Sequence, residues 1–71
     1  MEYKYYKINN GYYFRYEPNI NHFEILKDDC WINDESLMSL YLDPLGDYKE
    51  ITNESMILSL SDRPKIENKT K

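Results

Sequence analysis

The sequence predicts a small α+β domain. The expected architecture is an antiparallel sheet of three to five strands, opened by an N-terminal hairpin and meander, with two short helices packed on one face. Three observations predict it. Asn10-Gly11 separates two runs rich in Tyr, Ile and Phe, and Asn-Gly is a strong hairpin signal because a tight type I′ turn needs positive φ at both central residues. From Asn33 onward the apolar residues fall at helical spacing, three and four apart. At residues 32–37 and again at 51–56, an apolar residue, a capping side chain, an acid and a second apolar residue recur in the order that opens a helix.

The hairpin comes first. Strands are expected at residues 3–9 and 12–17. A two-residue turn at Asn10-Gly11 pairs Asn9 with Tyr12, Ile8 with Tyr13, Lys7 with Phe14, Tyr6 with Arg15, Tyr5 with Tyr16 and Lys4 with Glu17. A turn at Asn9-Asn10 would instead oppose Lys4 and Arg15, and like charges directly opposed are unfavourable. In the preferred register one face carries Lys4, Tyr6, Ile8, Tyr13, Arg15 and Glu17. The other carries Tyr3, Tyr5, Lys7, Tyr12, Phe14 and Tyr16, is the more aromatic, and is expected to face the core.

Residues 18–21 read as a turn. His22 to Leu26 is a third strand, Lys27-Asp28-Asp29 a turn, and Cys30 to Ile32 a fourth strand. The first helix is expected with Asn33 as N-cap, Asp34 and Glu35 in the first turn where negative charge suits the helix dipole, and Ile32 stapled to Leu37. Leu37, Leu40 and Tyr41 continue it, and Asp43-Pro44 ends it. Tyr48 to Ile51 is a short strand. A second helix starts at Thr52, buries Met56, Ile57 and Leu60, and stops before Asp62-Arg63-Pro64. The two similar helix openings read as one device used twice rather than as a duplicated unit. Residues 1–61 form the domain. Residues 62–71, with four positive and two negative charges, read as a flexible basic tail.

Composition bounds the function. The chain has 71 residues and a net charge of −4; the tail carries +2, so residues 1–61 carry −6. A domain this small buries only about 60% of its unfolded surface. Eight tyrosines, two phenylalanines and one tryptophan supply the bulk, at low entropic cost. One cysteine builds neither a disulfide framework nor a cysteine-rich zinc site. Two glycines leave no phosphate-cradling loop. No apolar run approaches the roughly 18 residues of a membrane helix, and no charged segment precedes an apolar export stretch, so a cytoplasmic chain with no membrane partner is expected. The absence of Ala, Val and Gln, beside abundant Asn, Ile, Lys and Tyr, fits an AT-rich coding sequence of a low-GC bacterium or its phages.

A nucleophilic pair of Cys30 with His22 would need the thiol exposed, and a strand cysteine beside Trp31 reads as an inert buried thiol. The acidic turns at Asp28-Asp29 and Asp43–Asp47 lack the alternating ligands and closing glutamate of a calcium loop. No catalytic residue, metal or cofactor is expected. The hairpin interleaves aromatics with Lys4, Lys7 and Arg15, as a single-strand-binding sheet does, but a body at −6 repels phosphate and argues against nucleic acid. Tyrosine suits interfaces because it offers rigid area with a polar end, and the hairpin edge could accept a partner strand. The acids between Glu24 and Glu35 could present carboxylates to a basic groove. The expected contact residues are therefore Tyr6, Tyr13, Glu24, Asp28, Asp29, Asp34 and Glu35, with Tyr48 also expected to be exposed.

The expected function is a small non-catalytic protein-binding domain. Its concrete form is a phage- or mobile-element-type inhibitor that occupies a surface of a larger bacterial protein. A nucleic-acid-binding module using the hairpin, and a minor structural subunit that forms a homo-oligomer, are the alternatives.

Overall fold

The computed structural model describes residues 3–66. They form a five-stranded antiparallel sheet and two helices. The strands are β1 (Lys4–Ile8), β2 (Tyr13–Glu17), β3 (His22–Lys27), β4 (Cys30–Asn33) and β5 (Tyr48–Glu50), and the helices are α1 (Leu37–Leu42) and α2 (Glu54–Ser61). The strand order across the sheet is β4-β3-β2-β1-β5. The first four strands are the expected meander. β5 returns to pair with β1, Lys7 opposite Lys49, and takes the hairpin edge that sequence left open.

The first hairpin differs from expectation by one residue. Tyr6 pairs with Phe14, Tyr5 with Arg15 and Lys4 with Tyr16. The loop holds three residues, closed by bonds from Gly11 N–H to Ile8 O (2.9 Å) and from Ile8 N–H to Tyr12 O (2.8 Å). Gly11 sits at φ +101°. This is a type I turn with a glycine bulge, the usual three-residue solution. A one-residue slip sends every β2 side chain to the other face. It brings Phe14 onto the face of Tyr6, where the rings stack at 4.9 Å. The expected register would have set Phe14 opposite Lys7 and Tyr6 opposite Arg15. The two-residue turn appears instead at Asp28-Asp29, both at positive φ (52° and 63°), between paired Lys27 and Cys30.

The helices lie on opposite faces of the sheet, which corrects the expectation of one face. Successive strand residues point to opposite sides, and both sides carry apolar residues. On the first face α1 covers Tyr6, Phe14, Phe23 and Ile25 through Leu37, with Leu40 and Tyr41 beside it. The Tyr41 ring lies 4.8–5.6 Å from Tyr16, Phe23 and Tyr6. On the second face α2 covers Tyr5 and Trp31 through Leu60, with Ile57 half-buried. The Trp31 indole N–H donates to Leu60 O at 2.9 Å and fixes the end of that helix.

Both helix starts move. Asn33 stays in β4 opposite Glu24, so it caps nothing. Asp34 N–H donates to Phe23 O, and its carboxylate accepts from the Ser36 backbone N–H at 3.2 Å, so α1 opens later, at Leu37. In α2 the cap is Asn53 rather than Thr52; its side chain accepts from Met56 N–H at 3.0 Å. That phase turns Met56 outward, against the expected burial. The two similar openings are therefore used differently.

Residues 62–66 are docked rather than free. Trp31 N–H donates to Pro64 O (2.8 Å) and Ile66 N–H to Trp31 O (2.9 Å), which adds a short parallel bridge to the outer side of β4. The remainder of the expected tail, residues 67–71, lies outside the described residues.

Candidate functional site

A charged cluster is buried on the second face, and it absorbs several of the residues expected at a binding surface. Glu24 is 0% exposed. Arg15 grips one carboxylate oxygen through Nε (2.7 Å) and Nη2 (2.6 Å). The other oxygen meets Lys65 Nζ at 2.7 Å, His22 Nε2 at 2.9 Å and the Tyr3 hydroxyl at 3.3 Å. The Arg15 guanidinium is sandwiched between Tyr3 and Trp31, 4.0 and 4.4 Å from their ring centroids, as weakly hydrated planar cations favour. Burial pushes the Glu24 carboxyl up, but hydrogen bonds from Lys65 and Arg15, the Arg15 charge and the His22 bond outweigh it and hold it below the usual glutamate range. Burial and then the Glu24 charge raise the Tyr3 phenol.

This geometry corrects two expected contact residues. Glu24 is internal to the fold and cannot meet a partner's surface. Tyr6 is 6% exposed, stacked on Phe14, with its hydroxyl 3.4 Å from that of Tyr41; burial and then that bond raise its phenol. Tyr13 is half-buried beneath Lys7, whose Nζ lies 5.9 Å from the ring centroid. Tyr48 is half-buried too, donating to Tyr41 O at 2.6 Å.

The remaining acids do not form one patch. Asp28 and Asp29 are exposed at the β3–β4 turn. Asp34 and Glu35 follow the far end of β4, about 17 Å from Asp29 at strand rise, and Glu35 accepts from His22 Nδ1 at 2.8 Å. His22 begins β3 while Cys30 stands beside its last residue, Lys27, so the ring and the thiol are at opposite ends of the ladder. The basic residues of the hairpin are also scattered. Arg15 is buried, and Lys4 and Lys7 project from opposite faces of β1. Among the described residues no group of three His, Cys, Asp or Glu side chains is placed to hold a metal. An open cleft of about 390 Å³ beside Cys30 is lined by Asp29, Asp62 and Arg63, with Arg63 paired to Asp29 at 3.4 Å.

The surface that sequence reasoning missed is the outer edge of β5. Bonds from Asn9 N–H to Asp47 O and from Ile51 N–H to Tyr5 O set the phase of the β1–β5 ladder. In an antiparallel pair the bonded residues alternate. Lys49 therefore turns its backbone toward β1, and Tyr48 and Glu50 turn theirs outward. No described strand pairs with that side. The loop that leads into β5 carries Leu45, 85% exposed, and α1 ends at Leu42, 68% exposed. Gly46 folds this loop onto the end of α1: a Cβ there would lie 2.7 Å from Leu40 O and 3.0 Å from the Tyr48 ring. Open backbone groups and two exposed leucines thus occur together in residues 42–50. The sequence signal was the pair Leu42 and Leu45 around Pro44, apolar residues that no helical stripe accounts for.

Neither a family model, nor a curated protein, nor a solved structure matches this chain.

Proposed function

We propose that this chain is a small protein-binding domain that takes an extended segment of a partner protein onto the outer edge of β5. Open sheet edges bind by this route: the main chain supplies the hydrogen bonds and side-chain contacts supply the selectivity. One observation carries the reading, namely the outward Tyr48 and Glu50 backbone, in a stretch of chain that also carries exposed Leu42 and Leu45. The opposite edge of the sheet is protected, because residues 64–66 bond to Trp31 there. Binding in this mode needs no turnover. The concrete form remains a cytoplasmic inhibitor of phage or mobile-element type that occupies a larger bacterial protein, supported by small size, acidity and composition.

The test is affinity capture from a low-GC bacterial lysate, with and without nuclease, using the full chain and its Glu50→Pro variant. Proline at position 50 removes an outward N–H and blocks an incoming strand, while the inward ladder at Lys49 is untouched; edge strands tolerate proline in this orientation. A stoichiometric protein that survives nuclease and is lost with Glu50→Pro is expected. A protein retained equally by the folded variant, or recovery of nucleic acid alone, would overturn the proposal.

A further inference from the structure

The charge pattern along β5 describes the segment it would receive; this inference rests on the edge-docking proposal. Lys49 stands directly opposite Lys7. Both are exposed, and neither makes an ion pair with a described residue. Like charges directly opposed on one face are destabilising, and this pair persists in a chain with 13 acidic residues and a net charge of −4. The row continues inward to Tyr13, over whose ring Lys7 lies. Outward, the row ends at the open edge.

An incoming antiparallel strand would bond to the outward groups of Tyr48 and Glu50. Lys49 would then occupy the non-hydrogen-bonded position between them, where facing Cα atoms come within about 4.5 Å and side chains are closest. An acidic side chain there answers the Lys49 ammonium, which on its other side faces only Lys7. Glu50 and Tyr48 lie on the other face and extend the pattern. We infer that β5 takes a partner segment that reads, from its N-terminus, basic opposite Glu50, acidic opposite Lys49 and apolar opposite Tyr48.

A second copy of this chain fits less well. Two β5 strands complete both outward bond pairs only when Tyr48 meets Glu50 of the other copy, and that register sets Lys49 against Lys49. Sliding the copies to set Asp47 against Lys49 brings Gly46 opposite Glu50, and the Gly46 N–H is already given to Asp43 O at 2.9 Å. One register adds repulsion and the other loses ladder. Lysine in the middle of a short edge strand is a common guard against such self-pairing.

The test is an amide-resolved NMR titration of the full chain with two short synthetic peptides, both threonine-flanked. One has the core lysine–glutamate–valine and the other lysine–lysine–valine. The glutamate peptide should move the Tyr48, Lys49 and Glu50 amides and bind about fivefold more tightly, the scale of one cross-strand charge reversal. Lys49→Glu should invert that preference, and Glu50→Pro should abolish both responses. Equal binding of the two peptides at β5, with Glu50→Pro still silent, would overturn the charge pattern while leaving edge docking in place. No response at β5 from either peptide would overturn both. Concentration-dependent shifts of the same amides in the free protein, removed by Glu50→Pro, would make the second copy the occupant and overturn the partner assigned here.

Discussion

Replacing Glu24 by glutamine tests the account of the buried cluster most directly. The change keeps the shape and removes the charge. Arg15 is 7% exposed and held by aromatic rings on two sides, so it cannot follow its charge into water. Leaving one member of a buried pair alone costs about 3–5 kcal/mol. Lys65 is about one-third exposed and can turn outward, which favours the lower end, about 3 kcal/mol. A 71-residue domain has about 4–11 kcal/mol in total, so the variant should be folded but marginal, its melting point lower by roughly 12–24 °C. Urea unfolding followed by the fluorescence of the single, fully buried Trp31 reads it. Glu35→Gln is the control: that carboxylate is more than half exposed, and its loss should cost under about 0.5 kcal/mol. Acid adds a second readout. The Glu24 carboxyl is lowered in the fold, so its contribution is complete above the ordinary glutamate value and is lost as pH falls through the folded one. The wild-type stability should decline there, and Glu24→Gln should decline less. A cost below about 1 kcal/mol for Glu24→Gln, or an unchanged acid limb, would refute a desolvated Glu24.

The alkaline limit should be set by tyrosine. Tyr6, Tyr3 and Tyr48 are all raised in the fold, so the stability they contribute is complete below the ordinary phenol value, about 10, and is lost as pH rises beyond it. Phenolate absorbance should show a late class that appears only with unfolding; early, independent titration of all eight tyrosines would contradict it. Gly11→Ala places a side chain at φ +101° in open space, so the cost is backbone strain alone. About 1–2 kcal/mol is expected in a chemical denaturation curve; an unchanged midpoint would argue for a different turn.

The element order was legible because its signals are local. Asp28-Asp29 between two apolar runs announced the second hairpin, and Leu37, Leu40 and Tyr41 announced α1. What stayed hidden was which face each element meets. Tyr5-Tyr6 in β1 and Trp31-Ile32 in β4 put large apolar residues on both faces of the sheet, a pattern that means both faces are covered. Read that way, those pairs would have placed the helices on opposite sides. The register of the first hairpin depended on a choice between a two-residue and a three-residue loop around the same Gly11. Tertiary packing of Tyr6, Phe14 and Phe23 decides it. Glu24 was misread as surface because it is an acid in a strand of alternating pattern; its partners Arg15 and Lys65 are 9 and 41 positions away, and no spacing rule connects them. The edge at β5 was invisible for the same reason, since only pairing with β1 makes it the end of the sheet.

Gly46 is where the fold and the proposed docking edge depend on one residue. Its backbone passes so close to the end of α1 that an added Cβ would lie 2.7 Å from Leu40 O and 3.1 Å from Asp43 O. Both obstacles are main chain, so neither can swing aside as a side chain would. Gly46→Ala must therefore move the 43–47 loop away from α1. The loop is the lead into β5, whose ladder begins one residue later with the bond from Asn9 N–H to Asp47 O. The strand is three residues long, so losing its first bond leaves little to hold it. The core facing α1 should survive, because Phe14 stacks on Tyr6 and meets Phe23 while β5 adds to it only the Tyr48 ring at its edge, and the loss should be about 1–3 kcal/mol, the scale of overpacking against a rigid wall. Amide hydrogen exchange separates a local from a global effect. The Asn9 and Ile51 amides, which bond across β1 and β5, should lose protection in Gly46→Ala while those of β2 and β3 keep theirs. Partner capture should fall with them. Full protection at Asn9 and Ile51 in the variant would mean that the loop relaxes without disturbing the strand, and the link between Gly46 and the edge would be refuted.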